Sequence, residues 1–347
     1  CTLLPLAADG TPLCPALLWS DVRAGAQADT IFAMQHPAVQ RVSSAGFSAE
    51  WMLAKALWLH DERPELYAST ARFVEYGDWL LERLTGTVAL SANTAAHRWL
   101  YDNRTETSEA DRWPLELFES LGLATLHEKL PPVLQVGDDA APGLGLSAEA
   151  AAALGGLPAG IPVFVGGGDA FVGLLGMGVS AAGEFGLMTG SSSVLCGLTE
   201  PLPVDTRGSG LFGAFYNSVV PGVGLLEAGQ PATGSMLRWF QQELGGGRSL
   251  QELDAEAASV QPGSGGVIVF DGFQGNRTPH TDSRARGAVW GLSLGTSRAH
   301  MYRAMLEGSA FGTRAMLQAV LSVGAQEESP HSHTQGESKG ETQGESK

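Results

Sequence analysis

Cysteine is scarce in this sequence, and basic residues are outnumbered. The three cysteines, Cys1, Cys14 and Cys196, have neither CxxC nor metal-ligand spacing. That excludes a disulfide scaffold or a thiolate metal cluster and points to a reduced, cytoplasmic protein. Lys and Arg number 21 against 37 Asp and Glu, a net charge of -16, which argues against nucleic acid or an anionic membrane as partner. Long uncharged apolar runs are absent too. The longest apolar stretch, residues 161–188, holds Asp169, Glu184 and many glycines and makes a poor membrane span. No signal-peptide pattern precedes the fold. No GxxxxGK[ST] is present, and no GxGxxG opens a helix after a strand, so a bound nucleotide needs a different phosphate cradle.

What remains is ample for a folded protein. With 347 residues, 44% of them hydrophobic, the chain can bury one large core or two domains. "CTLLPLAADGTPL" enters directly as strand–turn–strand, as though the fold were already under way. "SAEWMLAKALWLHDERPELY" predicts a helix with Ser48 as N-cap. "EYGDWLLERLTG" predicts a helix closed by Gly86, and "LSAEAAAALGGL" one capped by Ser147 and ended by Gly155 and Gly156. "GIPVFVGGG" has the β-branched content of a buried strand, and "GEFGLMTGSSSVLCGLT" reads as two strands joined by a Thr-Gly-Ser-Ser turn. "ATGSMLRWFQQELGGG" predicts a helix and "GGVIVFDGF" a strand. A long helix runs from about Ser297 to Val323, with Met301, Met305, Phe311, Met316, Ala319 and Val323 on one face. Residues 326–347 are polar, contain TQGESK twice, and are expected to be disordered. His331 and His333 in that tail are read as solvated, and no metal ligand is assigned.

Four features invite chemistry. Asp169 is the one charged group in "VFVGGGDAFVGLLGMG", where it serves either as a helix N-cap or as a general base at a strand–helix junction. Thr189, Gly190, Ser191 and Ser192 form a turn whose amides and hydroxyls can cradle phosphate, though most such turns only reverse the chain. Lys55 shares a helix face with Trp51 and Trp58. It either snorkels past them to solvent or lines a polar-substrate pocket. Glu227, in "GVGLLEAGQPATG", is an exposed strand terminus or a site carboxylate.

Together these motifs resemble the FGGY carbohydrate kinases. "GAVWGLSLGTSRAHMYRAMLE" (Gly287 to Glu307) matches the family's second signature along its whole length. "GFQGNRTPH" resembles its G-x-R-x-P segment and "EAGQPATGSMLRWF" its E-x-G-Q junction. "GGGDAF" resembles the catalytic-aspartate segment, "LMTGSSSV" the phosphate turn, and "LWSDVRA" the W-x-D-x-R-A stretch of pentulose kinases. The first signature, around "EWMLAKALWLHDE", departs at Met52 and Ala56, and ribulokinase-like members come closest there. The resemblance implies an α/β, actin/hexokinase-like (RNase H-like) two-domain kinase fold. Residues 1–178 would form part of the sugar-binding domain and 179–325 part of the ATP-binding domain.

It further implies ATP- and Mg²⁺-dependent phosphorylation of a sugar hydroxyl, most readily of a pentulose such as ribulose. Asp169 would be the base, Lys55 and Glu227 the ketose contacts, and Thr189 to Ser192 the phosphate cradle. Xylulose, erythritol or glycerol are the alternative substrates, and a non-catalytic carbohydrate-binding remnant is the alternative function. The family's D-x-G-T turn would precede Cys1, and its adenine-side Gly-Gly segment would follow the long helix, so the chain reads as truncated at both ends. Nothing in the sequence speaks to oligomeric state.

Overall fold

The computed structural model describes residues 2–43, 45–200, 206–282 and 284–324. The polar tail at 326–347 lies outside the described residues. In chain order the strands are β1 Leu3–Leu6, β2 Arg72–Glu75, β3 Leu90–Ser91, β4 Val133–Leu134, β5 Phe185–Thr189, β6 Ser193–Thr199, β7 Phe212–Tyr216, β8 Gly224–Gln230, β9 Ile268–Phe270 and β10 Ala288–Trp290. The first helices are α1 Gly25–Ala33, α2 Pro37–Val42, α3 Met52–Glu62, α4 Pro64–Ser69, α5 Tyr76–Thr85 and α6 Ala92–Trp99. They are followed by α7 Leu115–Ser120, α8 Ala148–Ala153, α9 Asp169–Gly176, α10 Gly234–Glu243, α11 Leu250–Ala258 and α12 Arg298–Gly324.

The largest sheet is antiparallel with order β5-β6-β8-β7. Its inner strand β8 is buried at every position, so a polar residue there must find a partner or a purpose. α12 crosses this sheet, burying Met316, Val320 and Val323 against Leu195, Leu226 and Ala228. Upstream, small sheets pair β1 with β2 and β3 with β4 among helices. The main core runs from Leu3 through Met52, Leu53 and Trp99 to Phe171, Leu198 and Leu225. The early helices and the large sheet therefore share one apolar interior. No helix of the described residues is long and apolar enough to cross a membrane.

Much of the expected secondary structure forms. The Thr-Gly-Ser-Ser hairpin appears as β5–β6, α5 ends on Gly86 at φ 80°, and Ser147 accepts the Ala150 amide at the start of α8. Three expectations are corrected. Ser48 does not cap α3: its hydroxyl accepts the Glu50 amide in a preceding turn, and the N-cap position is Trp51. Phe311 does not join the buried face of α12 and is 62% exposed; in that stretch the helix turns Gly308 and Gly312 toward Val269 and Gln230 instead. "GIPVFVGGG" forms no strand. It makes an isolated bridge from Phe164 to Asp139, and Val163 and Val165 bond the 137–140 loop instead of a sheet.

Candidate active site

The 163–168 segment, bonded to the 137–140 loop through Val163 and Val165, delivers its glycines to the edge of a cavity of about 680 Å³. α9 begins there. Gly168 is its N-cap and Asp169 its first residue, so the carboxylate stands at the positive end of the helix. Asp169 is exposed, and its one hydrogen bond is from the adjacent Ala170 amide at 2.8 Å. Among the described residues no cation pairs with it. It is a carboxylate held ready and not used up by structure.

The β5–β6 turn lines the same cavity. Gly190 N–H donates to Ser192 O at 2.8 Å and closes the turn, so that amide is not available to a ligand. The start of α10 grips the turn from below. Gly234 N–H donates to Gly190 O and Ser235 N–H to Ser191 O. A Cβ at Gly234 would lie 2.4 Å from Gly190 O, which explains the glycine. The amides of Ser191 and Ser192 donate to no acceptor among the described residues. Two free N–H groups in succession on a glycine turn suit an anion.

Glu227 lines the same cavity from the middle of β8. It is 9% exposed, which overturns the exposed-terminus alternative. Its Oε2 has no hydrogen bond. Arg98 Nη1 lies 3.7 Å from it and His97 Nδ1 4.0 Å. Burial and the Arg98 charge hold His97 well below its ordinary pKa, so it is neutral. Its Nε2 faces Ser218 Oγ at 3.1 Å, and that hydroxyl donates to Phe215 O, which leaves Nε2 carrying the proton. Arg98 in turn lies over the Trp51 and Phe171 rings.

Lys55 is fully buried and does not snorkel to water. Its Nζ donates to Leu18 O at 2.7 Å, beside the cavity-lining Trp19, and Lys55 itself is not part of the cavity wall. Burial pushes its pKa down to about 8, against the opposing pull of Glu50. The cavity thus gathers Asp169, the Thr189–Ser192 turn and Glu227, and leaves Lys55 behind its wall.

Sequence reasoning passed over several neighbours. Glu50 and Arg277 both line the cavity and form an ion pair of 2.8 Å between positions 227 residues apart. Both lay inside quoted motifs, "EWMLAK" and "GNRTPH", but a contact between them has no local signature. Arg98 and Asn93 lie in "LSANTAAHRWL", where polar residues at i and i+5 of a buried helix were the available clue.

Residues 2–176 match the N-terminal domain, and 187–333 the C-terminal domain, of the FGGY family of carbohydrate kinases. The chain belongs to that family. A ribulokinase from Shouchella clausii is 31% identical over 94% of this FGGY chain and 61% of its own length. A xylulose kinase from Lactococcus lactis is 29% identical over 90% of this chain and 60% of its own. The crystal structure of xylulose kinase from Rhodospirillum rubrum superposes with a TM-score of 0.75 at 26% identity, covering 93% of this chain and 63% of that one. The α/β sugar-kinase fold is therefore the fold of this FGGY chain, which spans about three fifths of the length of the relatives it matches.

Proposed function

We propose that this FGGY chain contributes the sugar site and phosphate turn of an ATP-dependent ketopentose kinase in the cytoplasm. What carries the reading is one cavity lined by an unpaired carboxylate, a turn with two free amides, and a buried carboxylate acceptor. Asp169 would take the proton of the attacking sugar hydroxyl. As that oxygen bonds to the γ-phosphorus, the bond to the β–γ bridging oxygen breaks and ADP leaves. Phosphoryl transfer asks mainly for positioning and charge stabilisation, which this set of groups supplies. The Ser191 and Ser192 amides, with the hydroxyls of Thr189, Ser191 and Ser192, would hold phosphate oxygens. Glu227 would accept sugar hydroxyls, and Lys55 would act through the Leu18–Trp19 corner it fixes.

Mg²⁺, which binds few protein ligands and keeps several waters, would enter on the ATP phosphates. Ribulose is favoured by the ribulokinase relatives and xylulose by the xylulose kinases.

A coupled ADP-release assay of the full-length protein (this chain spans about three fifths of the relatives' length) with ribulose, xylulose, erythritol and glycerol tests the reading. Ketopentose-dependent ADP release is the expected result. Sugar binding by calorimetry without ADP release from any of the four would replace it with the non-catalytic carbohydrate-binding reading.

A further inference from the structure

The segment before Asp169 ought to be the loosest part of the cavity wall. It contains three successive glycines, each with the conformational freedom that implies, and no strand pairs with it. Two side chains from the β3–α6 junction hold it. Ser91 Oγ donates to the Gly166 carbonyl at 2.6 Å, and the Gly168 amide donates to Asn93 Oδ1 at 2.9 Å. Asn93 also fills the space beside the next glycine: a Cβ on Gly167 would lie 2.9 Å from its Cβ, Cγ and Oδ1.

Asn93 is 1% exposed, and its Nδ2 has no partner among the described residues. A buried amide with its donor unmade is costly. An apolar side chain would be cheaper at this position unless the oxygen is needed. The oxygen is spent on the peptide from which α9 departs.

We infer that Asn93 is a positioning residue for Asp169. It fixes the Gly167–Gly168 peptide, so it sets where the first side chain of α9 stands in the cavity. The packing of Phe171 and Leu174 holds the body of α9, but among the described residues the Asp169 carboxylate has no hydrogen bond beyond the one from the adjacent Ala170 amide. The inference rests on the reading of Asp169 as the base, and it names the side chain that would preorganise that base.

Asn93→Leu keeps the bulk and removes the acceptor, whereas Asn93→Asp keeps an acceptor and adds a charge near Asp169. Both are compared with the parent chain and with Asp169→Asn, by amide hydrogen exchange and by kcat and KM for ribulose. In Asn93→Leu the Gly168 amide should exchange about tenfold faster, as one lost hydrogen bond predicts. Its kcat should fall about 10- to 100-fold, the scale of a reacting group displaced by about 1 Å, with sugar KM nearly unchanged. Asn93→Asp should restore most of the exchange protection and shift the acid limb of the pH–rate profile upward, which a merely structural residue would not do.

Unchanged Gly168 exchange in a folded Asn93→Leu protein overturns the inference, whether or not the chain turns over. So does a parental kcat in Asn93→Leu where Asp169→Asn is inactive. If Asp169→Asn is as active as the parent, it is the reading of Asp169 as base that fails, and the exchange result alone decides whether Asn93 holds the loop. Should Asn93→Leu not fold, Asn93→Ser, too short to reach Gly168, takes its place with the same outcomes.

Discussion

Two arms that line the cavity are built in opposite ways. The Thr-Gly-Ser-Ser turn is held by backbone: β5 and β6 pair on either side of it, Gly190 closes it, and the first amides of α10 grip its carbonyls. The glycine segment before Asp169 is held by side chains, Ser91 at one end and Asn93 at the other. A backbone-held turn presents donors whose positions survive most substitutions. A side-chain-held loop presents one carboxylate whose position depends on distant residues. If Asp169 is the reacting group, the more fragile arm carries the chemistry.

The sharpest way to break this comparison is at Asp169 itself. Asp169→Asn keeps the shape and removes the base, so kcat with a ketopentose should drop by roughly 10²–10⁴-fold. Sugar affinity, read by calorimetry, should change far less. A kcat within a few-fold of the parent would take the chemistry away from this arm.

The other arm is probed by Gly190→Val. Gly190 does not have a left-handed φ, and a Cβ there meets nothing nearer than Ser192 O at 3.9 Å. The variant should therefore fold, and its cost should fall on the ligand alone. Displacing a phosphate from one charge-assisted N–H bond should weaken ATP binding about tenfold or more. Intact ATP affinity in the folded variant would make the turn merely structural.

The same difference decided what could be read from the sequence. The hairpin was legible because alternation, a glycine turn and hydroxyls are all local signals, and so were α5 with its Gly86 terminus and α8 with its Ser147 cap. "GIPVFVGGG" was misread because β-branched content marks a willing strand without saying whether a partner lies beside it. Here Val163 and Val165 find only a loop. Asp169 and Glu227 stood out as charges in apolar surroundings. Asn93, Arg98 and the Glu50–Arg277 pair did not, because their meaning comes from contacts with residues 75 to 227 positions away. The burial of Lys55 was hidden likewise. Trp51 and Trp58 marked the inward face, but the acceptor at Leu18 lies 37 residues upstream.

A single carbon compares the arms directly. Gly167→Ala places a Cβ 2.9 Å from Asn93, whereas in Gly190→Ala the nearest atom is Ser192 O at 3.9 Å, an ordinary contact. The first should cost about 1–3 kcal/mol, the usual range for overpacking, and the second should be close to neutral. Chemical denaturation reads both. Equal costs would mean that the glycine loop yields as freely as the turn.

The smallest effect concerns what stands behind Ser91. Asp78, on α5, is buried and accepts the Ser91 amide at 2.9 Å and the Glu75 amide at 3.4 Å. Burial raises its pKa to about 7, with the Glu75 charge adding to the rise and the Ser91 amide opposing it. Between about pH 4 and 7 the folded chain then keeps a proton that the unfolded chain has lost. The folded state binds more protons in that window, so stability falls as pH rises through it, and the full penalty stands above about 7. Asp78→Asn keeps an acceptor for Ser91 and removes the titration. Its Tm should exceed the parent's by a few degrees at pH 8 and match it near pH 4. A Tm difference that is the same at both pH values would mean that Asp78 keeps an ordinary carboxylate pKa. The support behind the glycine arm would then be insensitive to pH, as the backbone-held turn already is.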